Sequence, residues 1–174
     1  TLAEQQVIFN AITNAMSATI TYELTTYYEN TTSGTDIRIG VAQTRDATAT
    51  FPALQPSCAT PTHIKSASSI NDLAYYVQNL TRLEVTIPTV ATMYGATITS
   101  ATLSIDGKSY TVSSPTYTTT TDNLTSSSTT SGLTLTATLI DSRGQTYSDS
   151  TSVIVHPYAT PVISSFTVER SDVA

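Results

Sequence analysis

The chain has no tryptophan, a single cysteine at position 58, and six glycines in 174 residues. One cysteine excludes an intrachain disulfide, so stability has to come from a core or from neighbouring chains. Charged residues make up 11% of the sequence, about half the usual share of a soluble domain. Only seven lysines and arginines occur, scattered from Arg38 to Arg170, against thirteen acidic residues. A net charge of −6 with no basic stripe argues against nucleic-acid binding. No apolar run approaches the roughly 18 residues that cross a bilayer, so no membrane partner is expected. Thr1 opens the sequence without a basic region or an apolar core, so no signal peptide is read there.

What the chain does have is threonine, roughly a fifth of its residues, and ten tyrosines. Thr is β-branched: its methyl packs across a sheet while its hydroxyl faces water. A Thr-rich, charge-poor chain therefore suits exposed sheet faces.

The clearest local pattern runs from Gly132 to Ile163. Leu133, Leu135, Ala137 and Leu139 alternate, the tight loop Asp141-Ser142-Arg143-Gly144 follows, and Ser152 to Val155 returns. That is a β-hairpin. In its turn, Asp caps its own backbone, Gly takes the special conformation, and Arg143 is expected on the surface. Upstream, Tyr76 to Ile87 reads as a strand with Val85 and Ile87 pointing inward. Thr97 to Ile105 and Lys108 to Val112 read as two more, joined by the two-residue turn Asp106-Gly107. Ser113 to Ser131 is low-complexity Thr and Ser, expected to hold one edge strand and a mobile loop.

Nearer the N-terminus, helical spacing over residues 2–14 predicts one short helix, with Thr1 as N-cap. Ala18 to Tyr28 alternates as a strand, with Ile20, Tyr22 and Leu24 on one face. Asn30 to Gly34 is read as a turn, and Ile37 to Phe51 as one or two further strands. Turn signals every 10–15 residues without a long helix predict an all-β chain of tandem antiparallel immunoglobulin-like sandwiches. The expected division is a partial or small β-rich domain over 1–61, a linker over 62–74 and a sandwich over 75–157. A linker with the first strand of a following domain would fill 158–174. On this reading the sequence is expected to be a segment of a longer polypeptide.

No residue set reads as catalytic, cofactor-binding or metal-binding. His63 and His156 lack ligand spacing, and Cys58 lacks a resolving partner. No nucleophile elbow exists for Ser-based chemistry. Asp106, Asp122, Asp141 and Asp149 lack the dense oxygen ligands of a calcium loop. Tyr27-Tyr28 and Tyr75-Tyr76 could stack on sugar rings, but adjacent strand residues face opposite sides, so one of each pair is expected to pack inward.

Several segments, in order, resemble a known family. Tyr76-Val77-Gln78 leads into Leu83-Glu84-Val85-Thr86, then Tyr94-Gly95-Ala96-Thr97-Ile98 and Asp106-Gly107-Lys108-Ser109-Tyr110. Thr138 to Gly144, Val155-His156-Pro157-Tyr158 and Pro161-Val162-Ile163 close the series. This order resembles the repeated immunoglobulin-like module of minor structural tail proteins from phages and prophages of Gram-positive bacteria. The likeness covers Tyr75 to Arg170, with a fainter one over Thr1 to Phe51. The long Thr/Ser insert at Thr116 to Ser131, and His156 in place of a small or apolar residue, depart from the pattern. The resemblance implies a non-catalytic component of a virion tail or tail tip, extracellular when mature, that positions host attachment. Its implied partners are other tail proteins or copies of itself, and host cell-surface polysaccharide. Two other classes fit the same residues: a carbohydrate-binding module contacting cell-wall glycan through tyrosines, and an Ig-like stalk of a bacterial surface adhesin.

Overall fold

A computed structural model describes residues 2–28, 32, 34, 37–52, 54–66 and 74–168. Among the described residues the chain is all-β apart from one helix, α1 (Leu2–Ala11). Its helical run stops three residues before the expected end at 14, and Ile12 N–H turns back to the Phe9 carbonyl at 3.2 Å. The proposed cap, Thr1, lies outside the described residues.

Strands β1 (Ser17–Tyr28) and β2 (Ile37–Thr50) form a two-stranded antiparallel ribbon of their own. At about 3.3 Å per residue it is about 40 Å long. The expected turn at Asn30 to Gly34 lies largely outside the described residues. Where β1 advances by two residues from Leu24 to Thr26, β2 advances by four between their partners Gln43 and Ile39, which makes a bulge. The stretch 37–51, read as one or two strands, is a single strand that ends at Thr50, just before Phe51.

The other eight strands form two sheets. β4 (Tyr76–Val77), β10 (Thr146–His156), β9 (Ser128–Asp141), β6 (Ile98–Ile105) and β7 (Lys108–Val112) lie side by side in that order. β3 (Thr62–Lys65), β5 (Leu83–Thr86) and β8 (Thr118–Thr120) make the second sheet. All neighbours are antiparallel except β4, which runs parallel to β10. One core joins the two sheets into a body. Leu83 and Val85 come from β5, Leu103 and Ile105 from β6, Leu135 and Leu139 from β9, and Val153 and Val155 from β10. Each is at most 2% exposed, and burying such a side chain contributes about 1.5–3 kcal/mol. Outward positions carry hydroxyls that pair across strands: Thr138 with Ser148 at 3.0 Å, and Thr86 with Thr118 at 2.9 Å.

The turn between β6 and β7 has the expected two residues, with positive φ at both Asp106 (54°) and Gly107 (72°). That mirror-image turn matches the twist of the strands, and Gly adopts it without strain. Two other expectations need correction. Tyr76 to Ile87 is two strands, because Asn79 takes φ 63° and Thr81 N–H bonds back to the Val77 carbonyl. This break moves the chain from one sheet to the other. The stretch 62–74, read as a linker, begins with β3, which pairs with β5 from Thr62↔Thr86 to Lys65↔Leu83. Residues 67–73 lie outside the described residues. The Thr/Ser-rich stretch supplies β8, an edge strand as expected, and β9 begins within it at Ser128. Residues Tyr158 to Val168 take no strand pairing; the following-domain strand expected there falls partly on residues 169–174, outside those described.

Candidate assembly surface

The β9–β10 turn holds the ribbon to the body. The Asp141 side chain, 2% exposed, accepts the backbone N–H of Arg143 at 2.9 Å and of Gln145 at 2.8 Å. This is the self-capping turn that the sequence suggests. The Arg143 side chain does the reverse of what was expected. It points inward and is only 7% exposed. Its Nε donates to the Ile12 carbonyl at 3.0 Å, Nη1 to Met93 at 2.9 Å, and Nη2 to Phe9 at 3.1 Å and Tyr94 at 2.6 Å. Two of these acceptors lie in the last turn of α1 and just beyond it. There a helix leaves carbonyls without partners and carries partial negative charge. A guanidinium offers five donors in a fixed plane, enough to gather four carbonyls from two separate segments. The group also lies 5.4 Å from the centre of the Phe51 ring.

Around this contact the Phe9 ring packs tilted against Phe51, with ring centres 4.4 Å apart, and edge-on against Tyr94 at 5.3 Å. Phe51 N–H bonds the Met16 carbonyl at 2.9 Å, which closes the base of the ribbon. Ser142 donates its hydroxyl to the Thr13 carbonyl. Gly95 sits against the same segment: a Cβ there would lie 3.4 Å from Thr13 Cγ2 and 3.5 Å from the Asn10 carbonyl oxygen. The ribbon is thus an arm with an anchored base.

Strand alternation and pairing register sort the arm's residues onto two faces. One carries Thr19, Thr21, Glu23 and Thr25 opposite Thr48, Asp46 and Thr44, with the Thr21 hydroxyl 2.5 Å from Asp46 and the Thr25 hydroxyl 3.1 Å from Glu23. The other carries Ile20, Tyr22, Leu24 and Tyr28 from β1, with Ile37 and Ile39 from β2. Towards the base, Ala18, Ile20, Ala47 and Ala49 are half-buried. Beyond it the face is bare: Leu24 is 71% exposed and Tyr22, Tyr28, Ile37 and Ile39 are each more than half exposed. Thr26, Gln43 and Arg45 share this face, so its bare apolar side chains alternate with polar ones. Such exposure on a two-stranded ribbon is still unusual in an isolated chain, because ribbons of this kind are marginal without cover. Sequence reading found the stripe of Ile20, Tyr22 and Leu24 but not that it stands clear of the body.

The remaining candidates resolve individually. Tyr76 is half-buried and bonds His63 Nδ1 through its hydroxyl at 3.0 Å, while Tyr75 is exposed with its ring 4.9 Å from that of His156. One of that pair packs inward, as expected; Tyr27 and Tyr28 are both exposed. Burial lowers the pKa of His63 and raises that of Tyr76. Cys58 is half-buried against the core, and burial followed by the nearby Asp149 charge raises its thiol pKa, which disfavours the thiolate. The four aspartates are dispersed. Asp106 accepts from Thr125 and Ser126 around the β6–β7 turn, Asp122 pairs with Lys108 at 2.9 Å, Asp149 accepts from Thr60 at 2.8 Å, and Asp141 caps its own turn. Among the described residues no cluster of His, Cys, Asp or Glu is placed to hold a metal ion. An open groove of 340 Å³ beside β6 and β7 is lined by Ile98, Thr99, Thr111, Ser113 and Tyr117, with no acid, base or cation in its wall. Comparison with known protein families, characterised proteins and solved structures finds no match.

Proposed function

We propose that this chain is a structural, non-catalytic part of a phage tail or tail-tip protein, made of immunoglobulin-like sandwich modules that position host attachment. The observation that carries the reading is the arm. It is an amphipathic ribbon, fixed at its base by Arg143 and bare along its apolar face. A surface of that kind is completed by another chain, which suits an element of an assembly. The ordered segments from Tyr76 to Ile163 that resemble phage tail modules support the same reading. Its mechanism is mechanical: rigid β modules set reach and orientation, and repeated copies supply avidity.

Immunogold labelling of intact particles, with an antibody raised against this chain, tests it in an induced lysogen or phage preparation. Label at the tail or tail tip is expected. Label on the bacterial envelope beside bare particles would overturn it in favour of an adhesin stalk. A second reading, contact with cell-wall glycan, is favoured by Tyr75, which presents an exposed ring braced by His156. Binding of purified protein to cell-wall polysaccharide that is lost in Tyr75→Ala would establish it.

A further inference from the structure

We infer that the arm's apolar face is the contact surface for a second copy of this chain, which packs its own arm against it in a two-fold, antiparallel pair. The inference deepens the assembly reading and rests on it only in treating the arm as an assembly element.

Three observations select a second copy as the occupant. The first is charge. The chain carries thirteen acidic and seven basic residues, so two copies repel across most surfaces. Both acids of the arm strands, Glu23 and Asp46, lie on its polar face, and the apolar face carries one charge, Arg45, beside the uncharged Gln43 and Thr26. That face is where two copies approach with least repulsion.

The second is self-complementarity. The bare stretch runs from Tyr22 to Tyr28, with its middle near Thr25 and the bulge. Two ribbons related by a two-fold axis through that middle set Tyr22 of one copy against the Tyr28 end of the other. The two Arg45 side chains, each level with Tyr22, then fall at opposite ends of the contact and avoid each other. Each comes near the Tyr28 ring of the other copy, where a cation over an aromatic face is favourable. A two-fold contact of this kind closes on itself and stops at a dimer.

The third is area. Tyr22, Leu24, Tyr28, Ile37 and Ile39 are each 53–71% exposed. Covering them and the backbone between removes about 500 Å² per copy, so about 1,000 Å² in total, the lower bound for a specific interface. The pair is therefore expected to be reversible, with a dissociation constant on the order of 10 µM.

Sedimentation velocity on the purified chain, over a concentration series up to about 100 µM, reads this directly. A monomer–dimer equilibrium is expected for the wild type. Leu24→Glu and Tyr22→Glu are expected to weaken it at least about tenfold, since each places a carboxylate in a dry contact. Thr19→Glu, on the polar face of the same strand, should leave it unchanged. Circular dichroism melts of all three variants should match the wild type, which separates lost pairing from lost folding. A wild type that stays monomeric at the highest concentration overturns the inference. So do a trimer or open polymer, or a dimer that survives both apolar-face variants. Particle labelling is read separately, so a monomeric chain found at the tail tip would sink the pairing and leave the assembly reading standing.

Discussion

The arm and the two-sheet body are both antiparallel β-structure built from Thr-rich strands, yet they are stabilised in opposite ways. In the body, inward positions such as Leu83, Leu103, Leu135 and Leu139 are fully buried, and hydroxyl residues occupy the outer faces. In the arm the strands also alternate, though Thr26, Gln43 and Arg45 interrupt the apolar face, and beyond the first few residues its apolar side chains stay exposed among the described residues. Period-two alternation thus specifies a strand with two unlike faces without specifying that the apolar one is buried within the same chain. A second sheet covers that face in the body. The arm has only an anchored base.

Equivalent truncations in the two regions test this contrast with the largest expected effect. Leu139→Ala opens a cavity in a closed core and is expected to cost about 2–5 kcal/mol in urea unfolding. Leu24→Ala removes the same atoms from a side chain 71% exposed and, measured at about 1 µM where the chain is monomeric, should stay within about 0.5 kcal/mol. Similar losses at both sites would mean that the arm is packed in solution and that the contrast is wrong.

The joint between the regions gives the next effect. Arg143→Ala leaves the carbonyls of Phe9, Ile12, Met93 and Tyr94 without their common donor in a largely buried setting. The expected loss is about 2–3 kcal/mol, concentrated in the attachment of α1 and the arm. Limited proteolysis should cut between α1 and β1 faster, while amide exchange in β6 and β9 stays slow. Uniform acceleration across β6 and β9 would show instead that the joint and the core unfold as one unit.

Much of the body was legible because its signals are local. The Asp106-Gly107 dipeptide specifies a two-residue turn, and the runs at Leu133 to Leu139 and Ser152 to Val155 specify a hairpin whatever lies around them. The Asp141 cap was legible for the same reason, since it bonds two residues within its own turn. Arg143 was not. Its acceptors are backbone carbonyls roughly 50 and 130 positions away, and carbonyls leave no trace in side-chain identity. One signal was available: Arg143 is the single cation between Lys108 and Arg170 in a charge-poor chain. The break at Asn79 was missed because a positive φ at a non-glycine position has only a weak signature. The bareness of the arm was illegible because exposure depends on what fails to pack against a strand.

Gly95→Ala probes the same joint more gently. The position has φ 71°, which disfavours any side chain, and the added methyl would reach Thr13 Cγ2 and the Asn10 carbonyl at 3.4–3.5 Å. These are ordinary contact distances, so the cost is mainly backbone strain, about 1 kcal/mol. Combined with Arg143→Ala the two losses should fall short of additive, because the first substitution already loosens the segment that Gly95 touches. Strict additivity in the double variant would place Gly95 outside the joint.

The smallest expected effect separates the regions by pH. The chain has two histidines, and neither lies in the arm. His63, on β3 in the body, has its pKa lowered by burial while its ring bonds the Tyr76 hydroxyl. A lowered folded-state value means that the unfolded chain binds the proton more tightly. The contribution of neutral His63 is therefore complete above the ordinary histidine pKa of about 6.5 and declines as pH falls below it, levelling off below the folded value. Thermal melts between about pH 7 and pH 5 should show the body losing stability slightly, and His63→Gln should flatten that part of the slope. The arm strands contain no histidine. Self-association measured by sedimentation over the same range should consequently hold constant while the body softens. If association instead tracked the melting temperature in the wild type and became flat in His63→Gln, the arm's contact would depend on the body's packing, and the two regions would have to be treated as one cooperative unit.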